Sequence, residues 1–492
     1  MASLVESLVA SGGPESPGFL NDLVKQLWPN ICVAGSHMVK GIVEPMFKTM
    51  LPAPLNGLQF SKINLGPVPI HISRVDVQKT ENEGIKLDLD VDWDGQCDIE
   101  LDGNMIPKFG IEHVKLRGRL SILLCPLTTV IPLVSQPMTL HQPQILTFSQ
   151  IGAAQVSFIN PPFLEFTYTD AAHVANLGII DKTIRKIVLS IISSMAVLPN
   201  RFLVKLDANN DWFKTYQSPM GVLRLTVESA SNLGADKGSK NFLKKLVHDE
   251  VDCYAKVSVS GSDEWRTQTV KNHRHPEWNE TRDMIVSDFD QAIEVDVDDE
   301  DTARPDDDIG VASTTIKKLL LAGGKQELGL VHKGSPIDGK VTVSAQFHKF
   351  VPDATSFSET GDGIVGLLTV LVASAFGITG KRSELKPSVK VTWGENAFRT
   401  AIKADAPGAD VENPSFDQAY RIPLKAGAVS DGPPVTITLM DSETERGSVE
   451  VSLNDVLSAP ELALEKFFDV GDGATIRAAV VLRGTSHAPL SS

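Results

Sequence analysis

Gly221–Ala230 reads GVLRLTVESA, and Gly366–Ala375 reads GLLTVLVASA. Each is an apolar run of strand length, and two further pairs keep the same order along the chain. Pro276–Glu280 (PEWNE) returns as Pro414–Gln418 (PSFDQ), and the strand entering Asp299 returns as the strand entering Asp441. Offsets of 145, 138 and 142 residues define two copies of one strand-rich unit of about 120 residues. The polar stretch Pro352–Asp362 links the copies, and a hinge near Ser218 and Pro219 precedes the first.

Upstream of the repeat the period changes. Leu20, Leu23, Val24, Leu27 and Ile31 recur at helical spacing, and the pattern resumes from Met38 to Met46 despite Pro29. From Ile85 the period is two: Ile85, Leu87, Leu89, Val91 and Trp93 alternate with Lys86, Asp88, Asp90, Asp92 and Asp94, which predicts a strand with one wet face. Cys97, Ile99 and Leu101 continue the alternation. Val114, Leu116, Leu120, Ile122 and Leu124 alternate with Lys115, Arg117, Arg119 and Ser121, so acidic and basic outer faces suit an antiparallel pair. Leu120–Leu164 then runs 45 residues without Asp, Glu, Lys or Arg. Six prolines exclude a membrane helix there, which leaves a buried sheet or a wall facing lipid or a partner. Asp181–Leu198 is predicted helical, stopped by Pro199.

Composition narrows the function. The 492 residues hold 62 Asp and Glu against 46 Lys and Arg, a net charge of -16 that disfavours nucleic acid as a partner. Cys32, Cys97, Cys125 and Cys253 have no metal-ligand spacing, which fits a reducing, cytosol-facing setting. Met1–Pro17 reads as a flexible tail without a basic signal region. Gly363–Gly380 is apolar but belongs to the strand repeat, so attachment to a membrane is expected to be peripheral. No nucleophile elbow, P-loop or HExxH occurs, and His273 and His275 read as loop surface, so no catalytic residue is assigned.

Ten of the nineteen residues from Asp290 to Asp308 are acidic. Asp299 and Asp301 leave the strand at alternate positions, and Asp307 follows a short loop. Carboxylates so crowded repel unless a cation joins them, and hard oxygen donors suit calcium; a solvated acidic surface is the alternative.

These motifs together resemble a known family. Val251–Val257 (VDCYAKV) and PEWNE stand where C2 domains carry their SDPYVKV and NPxWNE segments, and Asp299–Gly310 has the spacing of that family's third calcium loop. Leu27–Cys32 (LWPNIC), Ile42–Pro45 (IVEP), Leu65–Pro69 (LGPVP) and Val197–Arg201 (VLPNR) resemble landmarks of the lipid-binding SMP domain. SMP followed by two C2 units is the order of the extended synaptotagmins, tricalbins and plant synaptotagmins. The resemblance implies an α+β SMP tube of helices and curved antiparallel sheet over 18–207, a calcium-binding C2 sandwich over 219–351, a linker over 352–362, and a degenerate, calcium-independent C2 sandwich over 363–486. It turns the uncharged stretch into a lipid-facing wall, with Leu87, Leu89, Val91, Leu116, Leu120, Ile122, Leu124, Ile145, Phe148 and Phe158 toward acyl chains. Calcium would be held by Asp252, Asp299, Asp301 and Asp307. Lys240 stands where the family has a first-loop Asp, and Asp236 is its expected substitute. The second copy carries Lys381, Arg382 and Lys386 in its first loop and only Asp441, Glu443 and Glu445 in its third.

The resemblance implies glycerophospholipid transfer between membranes at contact sites, on the cytosolic face of membranes where the endoplasmic reticulum meets the plasma membrane. The first C2 unit would dock to anionic bilayers, and the SMP part would form a homodimer. The relatives' membrane anchor is not visible before Leu20. Two other functions compete: a calcium-regulated adaptor whose SMP part only dimerises, and a lipid enzyme, which the missing nucleophile motif disfavours.

Overall fold

The computed structural model describes residues 17–50, 55–80, 84–103, 106–127, 151–169, 177–207, 210–233, 251–301, 306–358, 361–406 and 408–486. The chain starts on α1 (Gly18–Met50), one helix that runs through both Pro29 and Pro45. An interior proline costs a helix about 3 kcal/mol or more. Here Trp28 and Phe47 are fully covered on the sheet side, and burial of two large aromatics offsets a cost of that size.

Seven strands follow: β1 (Gln59–Asn64), β2 (His71–Lys79), β3 (Ile85–Gly103), β4 (Ile106–Leu124), β5 (Ala153–Phe158), β6 (Phe163–Thr169) and, after helix α2 (Leu177–Ala196), β7 (Phe202–Lys205). The centre is the β3–β4 hairpin, 19 residues a side. β2 and β1 pair successive stretches of β3; β6 and β5 pair successive stretches of β4, and β7 closes the edge. The acidic and basic faces meet in register, Asp90 opposite Arg119, Asp92 opposite Arg117 and Asp94 opposite Lys115. The predicted wet face is wet only in part: Asp88 is 1% exposed. The helix predicted to reach Leu198 ends at Ala196, and Val197 bridges to Phe158 instead.

The Leu65–Pro69 segment is fixed by its neighbours. Gly66 has φ +78°, and a Cβ there would lie 1.7 Å from the Gln96 carbonyl oxygen. The Gly66 and Val68 carbonyls accept from the indoles of Trp28 and Trp93, each at 2.9 Å, so this turn ties α1 to β3.

A short helix, α3 (Trp212–Thr215), leads into two sandwiches. The first has β8 (Gly221–Ser231), β9 (Cys253–Val259), β10 (Ser262–Arg266), β11 (Glu277–Val286), β12 (Ala292–Asp299), β13 (Asp307–Thr315), α4 (Ile316–Leu321), β14 (Lys325–His332) and β15 (Ser335–Val351). The second has β16 (Ile364–Phe376), β17 (Pro387–Trp393), β18 (Asn396–Arg399), β19 (Ser415–Lys425), β20 (Val435–Asp441), β21 (Thr444–Val451), α5 (Leu453–Leu457), β22 (Ala463–Gly471) and β23 (Ala474–Thr485). Each has its own core. β15 pairs with β23 through Phe350–Thr485 and Val351–Gly484, which joins the two sandwiches along one edge. The repeat has a backbone cause: Trp278 and Phe416 are buried, and the next residues, Asn279 and Asp417, take φ 51° and 52° where each strand bulges. The apolar Gly363–Gly380 segment supplies β16, and among the described residues no helix is long and apolar enough to cross a membrane.

Candidate functional site

One face of the β3–β4 sheet is apolar across five strands. Cross-strand pairing sets Val77 beside Leu87, Leu87 beside Ile122, Ile122 beside Val156, and Val156 beside Phe202. A second row runs Val75, Leu89, Leu120, Phe158. Leu87, Leu89, Val91, Leu116, Leu120, Ile122 and Phe158 all belong to one cluster, completed by Ile72 and Val75 and by Leu20 and Val24 of α1. Leu124 lies at the end of the same face of β4, opposite Ala154. Ile145 and Phe148 fall outside the described residues.

Cover over this face is uneven. Under α1, Leu89 and Val91 are buried, whereas at the β7 edge Phe202, Val204 and Leu206 are 37%, 38% and 44% exposed. Those three were not legible in the sequence, because β7 is four residues long and offers no alternation to count. At this exposure each side chain forgoes roughly 1 kcal/mol relative to full burial, so a contiguous apolar strip here is built to be covered.

The acidic loop lies at the far end of the first sandwich. Register brings Asp299 opposite both Cys253 and Asp307, with Asp252 one residue away. Asp252 N–H donates to Asp299 Oδ1 at 2.8 Å, Glu300 N–H to the Asp252 carbonyl at 2.8 Å, and Asn272 N–H to Asp252 Oδ1 at 2.9 Å. Three loops are thereby tied around Asp252. Asp306, which sequence reasoning passed over, fixes the third loop: it accepts from Tyr254 OH at 2.7 Å and from Asp301 N–H at 3.1 Å. The Tyr254 hydrogen bond holds its carboxyl below the usual range. Asp252, Asp299 and Asp307 stand at neighbouring register positions, with Asp301 two residues beyond Asp299; as hard, anionic donors these four are the residues that could hold a divalent cation of the calcium class. Asp236 and Lys240 lie outside the described residues.

Another acidic group sits close by. Asp296, Asp298 and Asp308 bring carboxylate oxygens within 4.8 Å of one another. Lys256 Nζ already meets Asp298 Oδ2 at 2.6 Å. Burial, and then Asp298 and Asp308 beside it, push Asp296 up to about 6.

Comparison with known proteins agrees with this geometry. Residues 14–207 match the Synaptotagmin-like mitochondrial-lipid-binding domain, and residues 221–330 and 366–467 match the C2 domain. Extended synaptotagmin-2 of Mus musculus is 24% identical over 95% of this chain, and extended synaptotagmin-3 of Xenopus tropicalis is 26% identical over 94%. The chain spans about half the length of these relatives, 55% and 52%. The solved SMP, C2A and C2B domains of Extended-Synaptotagmin 2 superpose with a TM-score of 0.63 at 22% identity, covering 96% of this chain and 99% of that one, which shows the shared fold. In domain order, matched families and fold, the chain belongs to the SMP and tandem-C2 proteins represented by the extended synaptotagmins.

Proposed function

We propose that this chain transfers glycerophospholipid between membranes at contact sites, its SMP sheet covering acyl chains and its first C2 domain docking to anionic bilayers when calcium rises. The observation that carries this is the apolar sheet face, closed under α1 and exposed at Phe202, Val204 and Leu206. Acyl chains are the ligand class that such a face accepts without demanding polar partners.

The calcium part rests on Asp252, Asp299, Asp301 and Asp307. A cation bound there would invert the local field and let an acidic protein meet lipid phosphate. Asp252 and Asp299 orient their loops through the backbone bonds described above. Homodimerisation through the SMP domain and residence on the cytosolic faces of endoplasmic reticulum and plasma membrane belong to the same proposal. They rest on the family alone.

Solvent extraction of the purified protein followed by mass spectrometry tests the lipid part. A carrier yields stoichiometric phospholipid and moves labelled lipid between liposomes. An adaptor yields neither, yet still clusters anionic liposomes with calcium.

A further inference from the structure

The lipid-side residues of β3, β4 and β5 alternate with a second set that points the other way. In that set Asp88, Ser121, Gln155 and Ser157 are all buried, although an isolated SMP sheet would show them to water. Their cover is the first C2 domain and the segment leading to it. Lys86 Nζ lies 2.9 Å from Asp88 Oδ2 and 2.5 Å from Asp288 Oδ2, which belongs to the turn between β11 and β12. Both Lys86 and Asp288 are nearly covered, with side chains 17% and 11% exposed. Arg119 Nη2 joins Asp76 at 2.6 Å to Asp290 at 3.4 Å.

Asn160 completes the contact. Its amide nitrogen donates to the Asp290 carbonyl at 3.1 Å, and its Oδ1 accepts from Ala292 N–H and from the Ser260 hydroxyl, each at 2.7 Å. The C2 turn is shaped in advance to receive it: Gln291 Oε1 accepts from the N–H groups of Ser287 and Asp288, and Gln291 Nε2 donates to Ser260 Oγ. Paired charges and amide hydrogen bonds of this kind fix orientation.

Its position on the C2 sandwich is decisive. The seam touches the ends of β9 and β12 where Val259 pairs with Ile293, whereas the cation loops leave the other ends, where Cys253 pairs with Asp299. Six residue steps of strand separate the two poles by about 20 Å. That exceeds the screening length of about 8 Å at physiological ionic strength, and no seam carboxylate belongs to the cation loops. We propose that the first C2 domain is fixed to the outer face of the SMP sheet by this ionic seam, at the pole opposite its cation loops, in calcium-free and calcium-loaded protein alike. The inference is independent of what the apolar face binds.

Hydrogen exchange on the full chain, with and without calcium, tests it. Lys86→Glu sets a third carboxylate against Asp88 and Asp288, and exchange at amides 290–292 is expected to rise at least tenfold while the Val222–Leu225 core amides keep their protection. Lys86→Asp combined with Asp288→Lys restores protection at 290–292. Should Lys86→Glu fail to fold, Asn160→Ala removes the partner of the Ala292 N–H without adding charge, and the same rise is expected. Unchanged exchange at Ala292 in either folded single variant overturns the seam. A tenfold rise at Ala292 on adding calcium to the unaltered protein overturns its independence from calcium.

Discussion

Asp299 and Asp441 hold equivalent places in the two C2 domains. Each ends its strand, and each accepts the backbone N–H of the residue just before the paired strand, Asp252 in the first domain and Lys386 in the second, at 2.8 Å in both. They differ in what comes next. Asp299 lies opposite Asp307, while Asp441 Oδ2 takes the Arg446 guanidinium at 2.6 Å. The second domain carries its counter-charge within its own chain.

Arg446→Gln therefore destabilises the second C2 domain, by about 1–2 kcal/mol for a partly exposed charged hydrogen bond. Burial alone would raise the Asp441 carboxyl, but Arg446 and the Lys386 N–H hold it below its ordinary value. A lowered folded-state value stabilises above the unfolded pKa of about 3.9 and is lost as pH falls through the folded one. The melting-temperature gap between variant and parent is accordingly expected in full at pH 7 and to shrink as pH falls below about 3.9.

Asp299→Asn with Asp301→Asn keeps side-chain size and removes two anionic donors. Calcium-stimulated binding to anionic liposomes should weaken at least tenfold, or about 1.4 kcal/mol. Binding measured in chelator should not change.

Phe202→Asp with Val204→Asp alters an exposed edge strand, so the fold is retained. A charge desolvated beside acyl chains costs several kcal/mol, and liposome-to-liposome transfer is expected to fall at least tenfold. Circular dichroism establishes that the variant is folded, and transfer at the parent rate would remove β7 from the lipid path.

Asp296 is pushed up to about 6, by burial first and by Asp298 and Asp308 next. A carboxyl raised on folding stabilises below its unfolded pKa, and that contribution is lost as pH rises through the folded value. Stability of the first C2 domain should thus drop between about pH 4 and 6. Asp296→Asn should flatten this step and raise the melting temperature most at pH 7.5.

Most of the architecture could be read from local pattern. The alternation through Ile85–Leu101 became β3, and the PEWNE–PSFDQ repeat became two bulged strands with equivalent left-handed residues. What escaped was decided at long range. Asp88 looks like a solvated carboxylate in the sequence, because the Asp288 that shares its lysine lies about 200 residues onward. That the helical pattern on either side of Pro29 is one unbroken helix, running through Pro45 as well, depends on the packing of Trp28 and Phe47. The acidic loop displayed its donors but not the role of Asp306, which depends on a tyrosine hydroxyl from another strand.

The two-sided use of β3 and β4 limits how these strands can change in length. Leu87 and Leu89 face one way and Lys86 and Asp88 the other. Inserting or deleting one residue between them would exchange the two faces, setting leucines in the ionic seam and charges against the apolar side. A strand with one solvated face can absorb such a slip at a bulge. Around Leu87 neither face is spare, so this end of the hairpin should admit side-chain substitution far more readily than any change in residue count, and variation in length should collect at its solvated end, at β7 and in the connections.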